Sequence, residues 1–289
     1  MANECNLVKR PLGLGNCPTM PAYFRRMFTT TNAFTIPAAT IASGNAAILA
    51  YLQTAILEKN VYMWPQMFSS ENTSEETVYQ STPLGKRKVR DGFPEWLVNY
   101  SDSLCSHTAM YSHRATTGRI LFVDMENQLI GTYNDAGDLL GLSMQMLNTE
   151  KMVPNSGSEV AMSPVRITLS DTLEFDRDGG MVVVSGINAL TPLTEIEVTV
   201  VSAIATAVVV DVAVFCDGTA LEGLINGDFI LLTTAGATQT ISGVVESSTI
   251  PGRYTLSGTG LVSGTVNTAA PDDLSIEAYE SLTAATVTI

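Results

Sequence analysis

The spacing of apolar positions changes character near residue 118. Before that point one segment reads as a helix. Ile48, Leu49, Leu52, Ala55 and Ile56 recur every three or four residues and form one stripe. Asn45 is placed to cap its start and Asn60 to end it. A second, short helix is predicted over residues 94–104, with Pro94 in its first turn. Residues 69–92, between the two, are polar and predict a loop. Residues 1–42 are broken by Pro11, Gly13, Gly15, Pro18, Pro21 and Pro37, which predicts an extended N-terminal arm. Its cluster Tyr23, Phe24, Arg25, Arg26, Met27 and Phe28 is too apolar for a free tail. That cluster is expected to lie across another surface, of this subunit or of a neighbour.

From Gly118 onward the period is two. Residues 119–124, 128–133, 139–147, 165–169 and 181–184 predict strands, with a hairpin turn at Asn134-Asp135-Ala136-Gly137. With the helix near 45–60 they predict a β-rich α+β domain over residues 43–186, a sandwich or barrel with one flanking helix. Residues 187–289 differ again. They are rich in threonine, and short strands are predicted over 195–201, 207–215, 228–233, 238–245, 252–256 and 274–279. That spacing suits a β-sandwich. Within them, Pro251-Gly252-Arg253-Tyr254-Thr255-Leu256 resembles the Gly-x-Tyr-Thr segment of bacterial immunoglobulin-like modules. The resemblance implies a C-terminal Ig-like sandwich over 187–289, with the tyrosine bonding back to the backbone. The predicted class is therefore mainly β, and fold alone implies no activity.

Charge adds a second division. The chain of 289 residues has 15 Lys and Arg against 29 Asp and Glu, a net charge of −14. Such a balance argues against a general nucleic-acid binder, which needs clustered basic charge. Residues 1–120 are net +3 and residues 121–289 net −17. The local exception to the acidic trend is the run Lys86, Arg87, Lys88 and Arg90. A solvated loop is one reading of it. The other is an inter-subunit contact, in which these four cations meet the acidic face of the next copy and set its register.

Motifs that carry chemistry are not evident. Gly13-Leu14-Gly15 is flanked by prolines and opens no helix, so it reads as a turn rather than a phosphate loop. No G-x-S-x-G or H-E-x-x-H motif occurs. The two histidines, His107 and His113, are six residues apart and read as unrelated side chains. Cys105 near His107 offers a nucleophile and a base without a third, orienting group. The four cysteines, Cys5, Cys17, Cys105 and Cys216, form no CxxC pair and are expected to be reduced. Glu174-Phe175-Asp176-Arg177-Asp178-Gly179 imitates the start of a calcium loop, but its twelfth position falls on Ser185, so a solvated hairpin turn is expected. No cofactor, metal or catalytic residue is assigned, and the expectation is a protein that is not an enzyme. The start of the chain does not read as a secretory signal, and its longest apolar run, residues 203–216, contains Asp211. Synthesis in the cytoplasm as a soluble protein, without membrane insertion, is expected.

This organisation resembles the tail tube subunits of long-tailed bacteriophages. Those proteins combine a β-sandwich or barrel, one flanking helix and long loops or arms that reach neighbouring rings, and some add a C-terminal Ig-like module. The matching features are the helix near 45–60, the Lys86–Arg90 segment, the strands over 119–184 and the Ig-like tail. The resemblance implies a structural virion protein that self-assembles into stacked rings. Its partners would be itself and other virion proteins, with DNA only as passing cargo. The alternatives are a capsid decoration or head-associated protein and, from another class, a surface adhesin or carbohydrate-binding protein.

Overall fold

Alternating apolar and polar side chains draw nearly half of this chain into strands, and its class is mainly β. The computed structural model describes residues 23–83, 85–155, 157, 160–171, 173–276 and 278–289. Two compact units form, Met1–Leu190 and Thr191–Ile289.

The first unit begins with β1 (Phe24–Thr30), α1 (Ala38–Ala42), α2 (Asn45–Leu57) and β2 (Val61–Met63). Next come β3 (Ser69–Asn72), β4 (Val78–Thr82), β5 (Gly85–Arg90), β6 (Glu95–Tyr100) and α3 (Leu104–Ser112). It closes with β7 (Gly118–Asp124), β8 (Gln128–Tyr133), β9 (Leu139–Leu140), β10 (Leu142–Thr149), β11 (Ser163–Leu169), α4 (Glu174–Asp178) and β12 (Gly179–Val183). Ten of these strands make one sheet, ordered β12-β8-β7-β10-β11-β6-β3, with β1 branching from β7 to β2 and β9 from β8. Met27, Val98, Tyr100, Ile120, Phe122 and Ile167 are fully buried in its core. Each such side chain contributes about 1.5–3 kcal/mol relative to exposure.

The α2 stripe is buried at Ile48, Leu52, Ala55 and Ile56, the face anticipated from periodicity. Its ends differ from the expectation. Gly44, at φ +94°, occupies the cap position, while the Asn45 amide donates to the Ser185 carbonyl at 2.8 Å. Glu58 ends the helix, and left-handed Lys59 (φ +62°) turns the chain before Asn60.

Three further expectations are corrected. Of the predicted arm over 1–42, residues 1–22 lie outside the described residues, but 24–30 form β1, antiparallel to β7 from Phe24↔Asp124 to Thr30↔Arg119. The aromatic cluster is thus an internal strand, because Met27 and Phe28 gain full burial there. The helix predicted over 94–104 is instead β6, between β11 and β3, with Val98 and Tyr100 at 0% exposure. Its helix follows at α3, capped by the Ser103 hydroxyl, which accepts from the Ser106 N–H at 3.1 Å. The loop predicted over 69–92 contains three strands, β3, β4 and β5. The Asn134 turn forms as anticipated: its side-chain oxygen accepts from the N–H groups of Ala136 and Asp138, both at 2.9 Å.

The second unit contains β13 (Thr194–Ile204), β14 (Ala207–Val214), β15 (Phe229–Thr233), β16 (Thr238–Gln239), β17 (Ile241–Glu246), β18 (Arg253–Gly258), β19 (Gly264–Thr268), β20 (Tyr279–Glu280) and β21 (Ala285–Val287). They form a five-stranded sheet, β17-β18-β14-β13-β20, and a four-stranded one, β16-β15-β19-β21. Val208, Val210 and Leu256 from the first meet Leu231 and Val266 from the second in one core, which makes a β-sandwich. Tyr254 is wholly buried; its hydroxyl donates to the Leu221 carbonyl at 2.7 Å and accepts from the Leu224 N–H at 3.2 Å. This is the backbone anchor that the Gly-x-Tyr-Thr resemblance implied. Gly252 is required beside it: φ is +70°, and a Cβ would come within 2.6 Å of the Val212 carbonyl oxygen.

Candidate functional site

Lys86, Arg87, Lys88 and Arg90 lie on a two-stranded antiparallel ribbon, β4 with β5, rather than on the loop predicted for them. Among the described residues neither strand pairs with any other. All six residues of β5 are exposed, and so are Val78 to Ser81 of β4. Tyr79 and Val89 are 58% and 59% exposed. The ribbon's pairs are Ser81↔Lys86, Gln80↔Arg87, Tyr79↔Lys88 and, across a bulge, Val78↔Arg90. Residues directly opposite share a face. Lys86 and Lys88 therefore lie with Tyr79 and Ser81 on one face. Arg87 and Arg90 lie with Gln80 and Val78 on the other. The ribbon is cationic on both sides, which no folding requirement explains.

Its charges are satisfied only at the base. Arg90 pairs with Glu75 at 2.9 Å and Lys88 with Asp91, all four groups being solvent-accessible. Lys86 and Arg87, nearer the tip, carry no ion pair among the described residues. Exposed pairs contribute roughly 0–1 kcal/mol each, and a two-stranded ribbon without a core is marginal by itself. The arrangement suits contact with an anionic surface.

The other sequence candidates are absorbed by the fold. Glu174-Gly179 is not a hairpin turn but the single-turn helix α4 running into β12. Glu174 is only 6% exposed and accepts from the Ser143 N–H at 2.6 Å, the Ser143 hydroxyl at 2.9 Å and Arg119 at 3.2 Å. Its carboxylate closes a structural network. Among the described residues no group of three or more His, Cys, Asp or Glu has the geometry to hold a metal.

His107 and His113 do not converge. The His107 Nδ1 lies 3.0 Å from the hydroxyl of buried Ser163. His113 ends α3 and packs against the rings of Tyr62 at 4.8 Å and Trp64 at 5.7 Å. Burial lowers its pKa and favours the neutral imidazole. Cys105 is disulfide-bonded, and so is Cys216. This corrects the expectation of reduced thiols and removes Cys105 as a nucleophile, since only a thiolate attacks. Cys5 and Cys17 lie outside the described residues.

A further network joins β6, β11 and Glu150, the residue that follows β10. Arg166 donates to Glu95 at 2.5 Å and to Glu150 at 2.8 Å. Bonds from Thr73, Arg166 and Thr168 hold the Glu95 pKa low despite its partial burial. Sequence reading missed the carboxylates that β13 and β20 bring together, Glu195 directly opposite Glu280, because they are 85 residues apart. No helix among the described residues is long and apolar enough to cross a membrane. Comparison with protein families and with curated proteins finds no match for the chain.

Proposed function

We propose that this chain is a structural, self-assembling virion subunit, of the kind that stacks as rings into a bacteriophage tail tube. The observation that carries the reading is the β4–β5 ribbon, which projects four cations on two faces with no core of its own. A segment of that kind gains its stability from a surface outside the subunit. The net charge of −14 supports a conduit that repels phosphate, because each neutralised phosphate would add affinity and hold the passing DNA. Disulfide bonds at Cys105 and Cys216 suit a particle that persists outside a reducing cytosol. The role requires no catalysis.

The test is direct. Purified protein imaged by negative stain should show rings or tubes, and sedimentation should show large species that weaken as salt rises. Reversing Lys86, Arg87, Lys88 and Arg90 to Glu should lower polymer yield while circular dichroism stays unchanged. A wild-type chain that is monomeric at every concentration and salt refutes the proposal. Release of reducing sugar or binding to polysaccharide would favour the adhesin or carbohydrate-binding class instead.

A further inference from the structure

β1 carries two adjacent arginines, and a bulge sets them side by side. Along a regular strand, residues three apart point to opposite faces. Phe24 and Met27 nevertheless pack into the same core of the first unit. The pairing with β7 shows why. It passes from Phe24↔Asp124 to Arg26↔Val123, so Arg25 is an extra residue in β1. Arg25 and Arg26 therefore both lie outside that core, on the side of the strand that faces away from it.

Neither arginine has a carboxylate partner among the described residues. Lys88, Arg90, Arg119, Arg166 and Arg177 each pair with one. Arg25 donates to the side-chain oxygen of Asn127 at 2.5 Å, which is a neutral acceptor. Both Nε atoms are shut off from solvent without a hydrogen-bond partner, although each residue as a whole is only half-buried. Arg26 stands opposite Val123, which is wholly buried. Burial, then the charge of Arg25, lowers the Arg26 pKa. A guanidinium stays protonated all the same, so the fold holds two partly desolvated like charges together.

An anion answers this arrangement. A single carboxylate would leave one cation over. The charge of a phosphate or sulfate ion, about −2, balances both, and its several oxygens match two forked sets of N–H donors.

We propose that Arg25 and Arg26 form a binding site for a free, doubly charged oxyanion of the phosphate or sulfate class. Their terminal nitrogens hold the ion, and Asn127 fixes Arg25 in position. The closure around both Nε atoms suits a small ion. The net charge of −14 disfavours the backbone of a nucleic acid as its source. The site stands on β1 rather than on the ribbon, and it is independent of self-assembly.

Equilibrium dialysis of the full-length chain against labelled phosphate, in about 0.15 M chloride, measures the binding. Saturable uptake of a single ion per chain is expected. Arg26→Gln should weaken it by at least about tenfold. Arg26→Lys keeps the charge without the fork, and its affinity should fall between the two. The melting temperature gives a second readout. Phosphate strengthens burial in any protein by exclusion from its surface, a rise that does not saturate. The wild type should show a saturable rise above it that Arg26→Gln lacks. Arg25→Gln repeats both measurements at the other arginine, and keeps the test decisive if Arg26→Gln fails to fold.

A wild-type chain that takes up no phosphate overturns the site. So does equal uptake by the glutamine variants, or acetate bound as tightly as phosphate at matched ionic strength. Duplex DNA retained by the wild type and lost in Arg26→Gln, with no uptake of free phosphate, would overturn the free ion and reassign both arginines to a nucleic-acid backbone.

Discussion

Replacing Tyr254 with phenylalanine removes one oxygen and isolates two buried backbone groups. The Leu221 carbonyl loses its 2.7 Å donor and the Leu224 N–H its 3.2 Å acceptor. The ring keeps its place against Phe229, with centroids 5.3 Å apart, so hydrophobic burial is conserved. What is lost is polar: each net hydrogen bond contributes about 0.5–1.5 kcal/mol, and a stranded buried group costs about 1–3 kcal/mol. The two bonds share one hydroxyl, and the segment can relax, so we expect a loss of about 2 kcal/mol. For a unit of this size that lowers the melting temperature by roughly 8–16 °C, at about 4–8 °C per kcal/mol. Urea unfolding of the full chain, followed in its C-terminal transition, measures it. The alkaline limb gives a second check. Burial pushes the Tyr254 pKa up from 10.0 to about 12, so the folded state keeps its proton where the unfolded chain releases it. That contribution is whole below pH 10 and disappears as pH rises through 12. The wild type should therefore lose stability between those values more steeply than Tyr254→Phe. A variant within about 0.5 kcal/mol of wild type, with the same alkaline slope, refutes the anchor.

Four further outcomes are expected. Glu174→Ala strips Ser143 and Arg119 of their shared acceptor and should destabilise the first unit by about 1–3 kcal/mol in urea unfolding. Chelation with EGTA should leave the melting temperature unchanged, since the Glu174 carboxylate is consumed by protein donors. Glu195→Gln should raise the melting temperature slightly at pH 7, by relieving the like-charge crowding with Glu280 and Glu197. Maleimide should modify Cys105 and Cys216 only after reduction, as peptide mapping by mass spectrometry would show.

Legibility in the sequence followed the presence of a buried face. The α2 stripe and the run through β7 and β8 were readable because Ile48, Leu52, Phe122 and Ile130 each recur on a side that the core covers. The Tyr254 anchor was readable because a short motif carries its own geometry. β6 was misread because Pro94 signals a helix start, while the evidence for a strand lies in neighbours distant in sequence, β11 and β3. β5 was misread for the opposite reason: with every position exposed, Lys86 to Arg90 has no apolar alternation to reveal a strand. Its four cations were nevertheless visible as the one basic interruption in an acidic chain. The Glu195–Glu280 juxtaposition was invisible, since pairing across 85 residues leaves no local trace. Cysteine oxidation was likewise hidden, because four scattered positions do not state which of them meet.

The ribbon's failure to announce itself is also the argument for its role. A strand that serves the fold buries alternate side chains, and that burial supplies the roughly 1.5–3 kcal/mol per residue that holds it in place. β4 and β5 bury almost nothing, and the exposed pairs at their base, Arg90 with Glu75 and Lys88 with Asp91, supply roughly 1 kcal/mol each at most. Two such pairs do little against the entropy of ordering the backbone, so a ribbon without a core is marginal when the subunit is free. Any surface that takes up Lys86 and Lys88 on one side, or Arg87 on the other, therefore shifts the ribbon from marginal to firm at the moment of contact. Ordering would then be coupled to assembly. Amide exchange in β5 should be fast in dilute, high-salt solution and slow in the polymer, while exchange in β7 stays slow in both. Equal protection of β5 in the two states would mean that the ribbon is held by something within the subunit.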